Sequence, residues 1–303
     1  MFGFFKPHPP TAPQTANVDT NARRQDDAVV DAVLMSGVVL PPYPALLEEL
    51  DHLMARDDFE LGRLADMVSR DPSLTAALLR VANSPVFGLR QSVSSLRQAV
   101  TVLGLARTRA VSRSEVLRDA LRGYADPALI HALWERFGEI GNLAASLATR
   151  SPRLKPQSDL AYSAGIFHGT GCFILAKRFP GQTLWLTRVG ADFESRMEQM
   201  DAALGTDYVA IGALVARGWR LPLEVSEAIA QQRRLRQAPE TISAAPPLTC
   251  LLRLAIVLHD ETAKPEDWPE LWETARDRLE LDASTLDAAM AEYRAAADRQ
   301  SPA

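Results

Sequence analysis

The chain is poor in the residues that build metal centres and redox sites: two cysteines and five histidines among 303 residues. Cys172 and Cys250 are isolated from each other and lack metal-ligand spacing, which fits buried structural thiols in a reducing compartment. No apolar run approaches the roughly 20 residues that cross a bilayer. The apolar start, Met1 to Lys6, is too short for a signal-peptide core, and its lysine follows the apolar stretch instead of preceding it. These absences predict a cytoplasmic protein without a membrane segment. Positive charge is also lacking: the formal charge is -5 and the pI near 5.6, so nucleic acid is not an expected partner. There is no phosphate-cradling glycine loop, nucleophile elbow or dinucleotide fingerprint, and no alternating strand pattern.

What is present is helical periodicity. Apolar residues recur at helical spacing as Tyr43, Leu46, Leu47, Leu50 and Leu53, then as Leu61, Leu64, Ala65 and Val68. Asp71 before Pro72 offers a side-chain cap and a preset first helical position, and Leu74, Leu78, Leu79 and Ala82 continue the stripe until Asn83, Ser84, Pro85 and Gly88 stop it. Further helices are predicted on 96–103, near 105–122, and on Leu129 to Leu147. Others follow near 158–178, 182–203, 207–217, 222–235, 246–261 and 283–298. The fold class is therefore all-α. Residues 1–26, with Pro7, Pro9, Pro10 and Pro13, read as a flexible tail.

Several runs carry a resemblance. Pro41, Pro42 and Pro44 precede the first helix. The runs Asp71-Pro72-Ser73-Leu74-Thr75 and Leu78-Leu79-Arg80-Val81-Ala82-Asn83-Ser84-Pro85 follow, then Ser94 to Gly104, and later Trp219-Arg220-Leu221-Pro222. Together they resemble the HDOD family, over roughly Gly37 to Leu235. The resemblance implies an all-helical bacterial output domain, distantly related to HD phosphohydrolases and built of two packed helical lobes. It also implies a division into an HDOD domain at 27–237, with lobes at about 37–123 and 124–237, and a helical extension at 238–303 packed on the second lobe. Among the motif residues, Asn83 and Ser84 are expected to cap and turn the chain, Trp219 to pack, and Pro222 to start a helix.

Within that resemblance the metal ligands of the catalytic relatives are missing. Gly165-Ile166-Phe167-His168-Gly169 looks like the helix that carries adjacent His and Asp ligands, and Gly169 stands at the aspartate. Arg136 is the nearest match to an upstream histidine ligand. Tyr208 stands where histidine is frequent, and Gln231-Gln232 where paired histidines often end a helix. A divalent site that activates water needs converging imidazoles and carboxylates, and Gly169 has no side chain while Arg136 is cationic. His168 is then expected to be a structural, hydrogen-bonded histidine. His259-Asp260 spells the same dipeptide but ends an apolar helix, and reads as a solvated helix end. Arg233, Arg234 and Arg236 likewise read as a solvated terminus, with a phosphate clamp as the alternative.

The leading expectation is a non-catalytic regulatory module without cofactor or resident metal. Its partners would be other signalling proteins: kinases, response regulators or cyclic-dinucleotide enzymes. With no receiver or cyclase pattern in the chain, input would come through association. The alternatives are an HD-type phosphohydrolase, rebuilt around His168 by Asp159, Asp201 or Asp207, and a cyclic-dinucleotide sensor using the charge of Arg136.

Overall fold

The computed structural model describes residues 37–55, 61–84, 87, 89, 91–183, 186, 193–260 and 269–300. The predicted tail at 1–26, and Pro85 and Gly88, lie outside them. Among the described residues the regular structure is helical, as the periodicity predicts. Helix α1 (Ala45–Met54) follows Pro44, and α2 (Leu61–Val68) and α3 (Pro72–Ala82) come next. Asp71 caps α3, its carboxylate accepting from the amides of Ser73 (2.9 Å) and Leu74 (3.1 Å). Beyond α3 the Asn83 side chain bonds reciprocally to the backbone of Val93, accepting from its amide (2.7 Å) and donating to its carbonyl (2.9 Å). That tie fastens the end of α3 to the approach of α4 (Leu96–Ala120).

The two predicted helices on either side of Gly104 form one interrupted element. Gly104 sits at φ 70°, ψ 175°, a conformation glycine adopts without Cβ strain. The second half of α4 buries its face against α6 (Ser158–Phe167), where Arg107 pairs with Asp159 at 2.9 Å and lies over the Tyr162 ring. A second tether joins the first lobe to the second. The buried Trp219 indole donates to the carbonyl of Pro41 at 3.0 Å.

The second lobe is built on α5 (Pro127–Arg150) and α6, which runs back along it. The predicted helix at 158–178 divides at His168–Thr170 into α6 and α7 (Gly171–Arg178). Helix α8 (Phe193–Leu204) starts later than predicted, and residues 187–192 lie outside the described set. Then come α9 (Tyr208–Gly218), α10 (Leu223–Ala230) and α11 (Gln232–Gln237), so the predicted 222–235 helix is broken at Gln231. Pro222 is not the first helical residue, as expected, but the extended residue before α10, at ψ 144°. Helix α12 (Pro247–His259) packs on α5, α6 and α10. Helix α13 (Pro269–Arg278) lies against α12, and α14 (Ala283–Gln300) against α5.

The approach of α5 and α6 depends on two glycines. A Cβ on Gly165 would lie 2.4 Å from the Cα of Gly141. The backbones meet there, so no side-chain rotation can relieve the overlap. Gly165→Ala is expected to destabilise the fold by about 3 kcal/mol, the upper end of ordinary overpacking costs. Gly138→Ala, on the same α5 with nothing within 4 Å of the added Cβ, should be neutral or stabilising by up to about 1 kcal/mol. Urea unfolding of both variants checks the pair.

Candidate functional site

The residues that resemble the dismantled metal centre gather at the α5, α6 and α9 core, and their space is filled. The Phe137 ring lies where a side chain on Gly169 would go: an added Cβ would come within 2.1 Å of it. His168 meets the same ring edge-on, with centroids 5.0 Å apart. His168 is buried, and its Nδ1 lies 2.6 Å from the carbonyl of Gly165, which accepts the ring N–H. Burial pushes its pKa down to about 4. The Gly165 bond opposes this, and the nearby Arg136 cation adds to it. His168 is thus a neutral, packed imidazole at ordinary pH.

Arg136 points into the same interior. Its guanidinium lies over the Phe193 ring (4.5 Å) and binds the Asp260 carboxylate at 2.7 Å, and both side chains are nearly excluded from solvent. The reading of His259-Asp260 as a solvated helix end is therefore wrong. Asp260 is the counter-ion of Arg136, and His259 lies between Asp260 and Glu139, 3.0 Å from each.

A second buried ion group lies beside the first. The Glu194 carboxylate at the start of α8 takes a two-pronged bond from Arg253 of α12, both at 2.7 Å, with Arg236 at 3.6 Å. Burial alone would raise the pKa of Glu194, but Arg253 and Arg236 override it and hold it at about 2. Arg236 also pairs with Glu198 and reaches the Tyr208 hydroxyl at 3.3 Å, so it is not solvated as expected. Arg234 is exposed, and the half-exposed Arg233 pairs with Asp207. Tyr208 packs edge-on to Phe193, placing Arg136 and Tyr208 around one ring.

The other predicted positions serve the scaffold. Gln232 is buried, and its amide donates to Ala228 (2.8 Å) and Thr249 (3.2 Å), tying α10 to α12. Gln231 ends α10 through its backbone, on Glu227. The carboxylates offered for a rebuilt metal site are engaged elsewhere. Asp159 pairs with Arg107, and Asp207 caps α9 on Ala210 and pairs with Arg233. Asp201 accepts from Thr206 and the Tyr208 amide, and burial beside Asp207 raises its pKa to about 7. Among the described residues no three His, Cys, Asp or Glu side chains converge as a metal site would require. The residues do not fit an HD-type metal. The aspartate position is overlain by a phenyl ring, and the first ligand position holds a guanidinium closed on Asp260.

Sequence reading passed over Glu194 and Arg253. The signal for Arg253 was present: an arginine between Leu252 and Leu254, inside the apolar stripe of α12, needs a buried counter-ion. Nothing local marks Glu194 as that partner.

Two outcomes follow for this site. Gly169→Asp should destabilise the fold by several kcal/mol and recover no metal binding, checked by urea unfolding and metal analysis. His168 has a folded pKa below its unfolded value, so its contribution is fully present above about pH 6.5 and is lost as pH falls toward 4. The loss amounts to about 3 kcal/mol. Asp201, with its raised pKa, acts in the opposite sense, so the test is the difference between wild type and His168→Asn. That difference should shrink from pH 7 to pH 4 in denaturant titrations.

Comparison with known proteins bears on the family and the fold. The HDOD domain model matches residues 40–235. A curated but uncharacterised protein of Treponema pallidum is 25% identical over 202 residues, 66% of this chain, and the match spans 39% of that protein's length. An HDOD domain protein of unknown function from Geobacter sulfurreducens superposes with a TM-score of 0.66 at 23% identity, over 90% of this chain and 98% of its own. A solved structure from Shewanella amazonensis SB2B, named as a candidate metal-dependent phosphohydrolase, gives a TM-score of 0.63 at 17%, over 91% and 99%. One from Marinobacter aquaeolei VT8, named as a candidate signal transduction protein, gives 0.63 at 25%, over 92% and 64%. With residues 40–235, about two thirds of the chain, matched by the family model and the helical scaffold shared, the protein belongs to the HDOD family.

Proposed function

We propose that this protein is a non-catalytic signal-transduction module that acts by contact with other proteins. The observation that carries the reading is the filled centre: the Phe137 ring against Gly169, and Arg136 closed on Asp260 where catalytic relatives place ligands. A hydrolase needs open coordination positions and a bound water there. The nucleotide-sensor reading is weaker for a related reason. Arg136 already has a buried carboxylate partner, so it has little positive charge to offer a phosphate. A scaffold of two tethered lobes is suited to presenting a surface to a kinase, a response regulator or a cyclic-dinucleotide enzyme.

The test uses the purified full chain. After incubation with iron, manganese or zinc it should retain clearly less than one metal per chain and turn over no cyclic dinucleotide. Stoichiometric metal, or turnover abolished by His168→Ala, overturns the proposal. Proteins captured from cells and re-bound as purified pairs should include signalling proteins of the named classes.

A further inference from the structure

The family model ends at residue 235, yet two buried charges of the second lobe are balanced from beyond it. Among the described residues, the carboxylate bound to Arg136 is that of Asp260, and the cations on Glu194 are Arg253 and Arg236. The side chains of Arg136, Asp260 and Arg253 are 6%, 5% and 2% exposed. Charges held so far from water and left without a counter-ion are strongly destabilising. Residues 40–235 alone would leave both Arg136 and Glu194 in that state.

The partners beyond the family segment are spaced for one face of a helix. Arg253 lies in α12, and Asp260, the residue that ends it, keeps helical dihedrals at φ -74° and ψ -6°. Seven residues make about two turns, so both side chains leave α12 on the same side, about 10 Å apart along its axis. Ile256, between these anchors, is buried in the core. One turn before Arg253, the Thr249 carbonyl accepts from the Gln232 amide of α11 at 3.2 Å. The anchors have opposite signs, and so do the groups that receive them. A helix laid in the reverse direction would bring Arg253 to Arg136 and Asp260 to Glu194, each a like-charge contact with little water to screen it. A slip of one turn would leave Arg136 and Asp260 apart.

We propose that α5, α6 and α10, with the start of α8, form a docking surface keyed to a helix that carries an arginine and, two turns later, an aspartate. Its occupant in this chain is α12, which packs on α5, α6 and α10. The folding unit therefore runs past the family segment to at least Asp260, and α12 leaves α5 only when the lobe itself opens. The same face is then closed to other proteins, and any partner of the module binds elsewhere on it.

Amide hydrogen exchange in the full chain tests this, with α5 and α12 read separately. In the wild type the most protected amides of both helices are expected to open with the same equilibrium constant. Asp260→Asn, which strands the Arg136 charge, should raise that constant in both helices by about a hundredfold. Asp260→Arg, the like-charge contact, should raise it further. Arg136→Met combined with Asp260→Leu removes both charges and should recover about tenfold or more of what Asp260→Asn loses. An α12 that opens about tenfold more readily than α5 in the wild type overturns the single unit. A double variant no better protected than Asp260→Asn overturns the keying by charge. The wild-type comparison decides the unit even if a variant does not fold.

Discussion

The second lobe depends on guanidinium groups neutralised inside it. Arg136 on Asp260 and Arg253 on Glu194 place four charged side chains where little water reaches, and each is tolerable only because its partner is held at bonding distance. These pairs connect α5, α8 and α12, elements distant in sequence, and they fix how the extension beyond residue 238 meets the lobe. An apolar contact would tolerate sliding of one helix along another. A two-pronged bond between a guanidinium and a carboxylate does not, so the pairs specify the register of packing even where they add little net stability.

Around this electrostatic frame the aromatic residues complete the packing. Phe137 touches His168, Phe173 and Phe193, and Phe193 touches both Tyr208 and Arg136. The interior of the second lobe is thus a continuous aromatic and ionic core. The first lobe is joined to it at two well-separated places, Trp219 on Pro41 and Arg107 on Asp159, which together restrain rotation of one lobe against the other.

The local features were legible in the sequence. Asp71-Pro72 announced its cap because both groups act within three residues, and Gly104 and Asn83 broke the pattern where the chain does break. Gly169 and Arg136 could be picked out from their neighbours in the motif as positions without a ligand side chain. What could not be read was pairing at long range. His259 was taken for a helix end because Glu139, 120 positions earlier, contributes nothing to its local pattern. Arg236 looked solvated because Glu194 and Glu198 reach it only through the fold. The phenyl ring against Gly169 was equally hidden, since Phe137 reads as an ordinary apolar position of α5.

The contact between Phe137 and Gly169 also couples two positions that lie 32 residues apart. Restoring a carboxylate at 169 alone drives it into the ring. Shrinking Phe137 alone leaves a cavity in a fully buried position, which costs about 3–5 kcal/mol, a large part of the stability of a typical domain. Positions 137 and 169 are thus bound to each other: a side chain can be added at one only when the ring at the other is reduced in the same step.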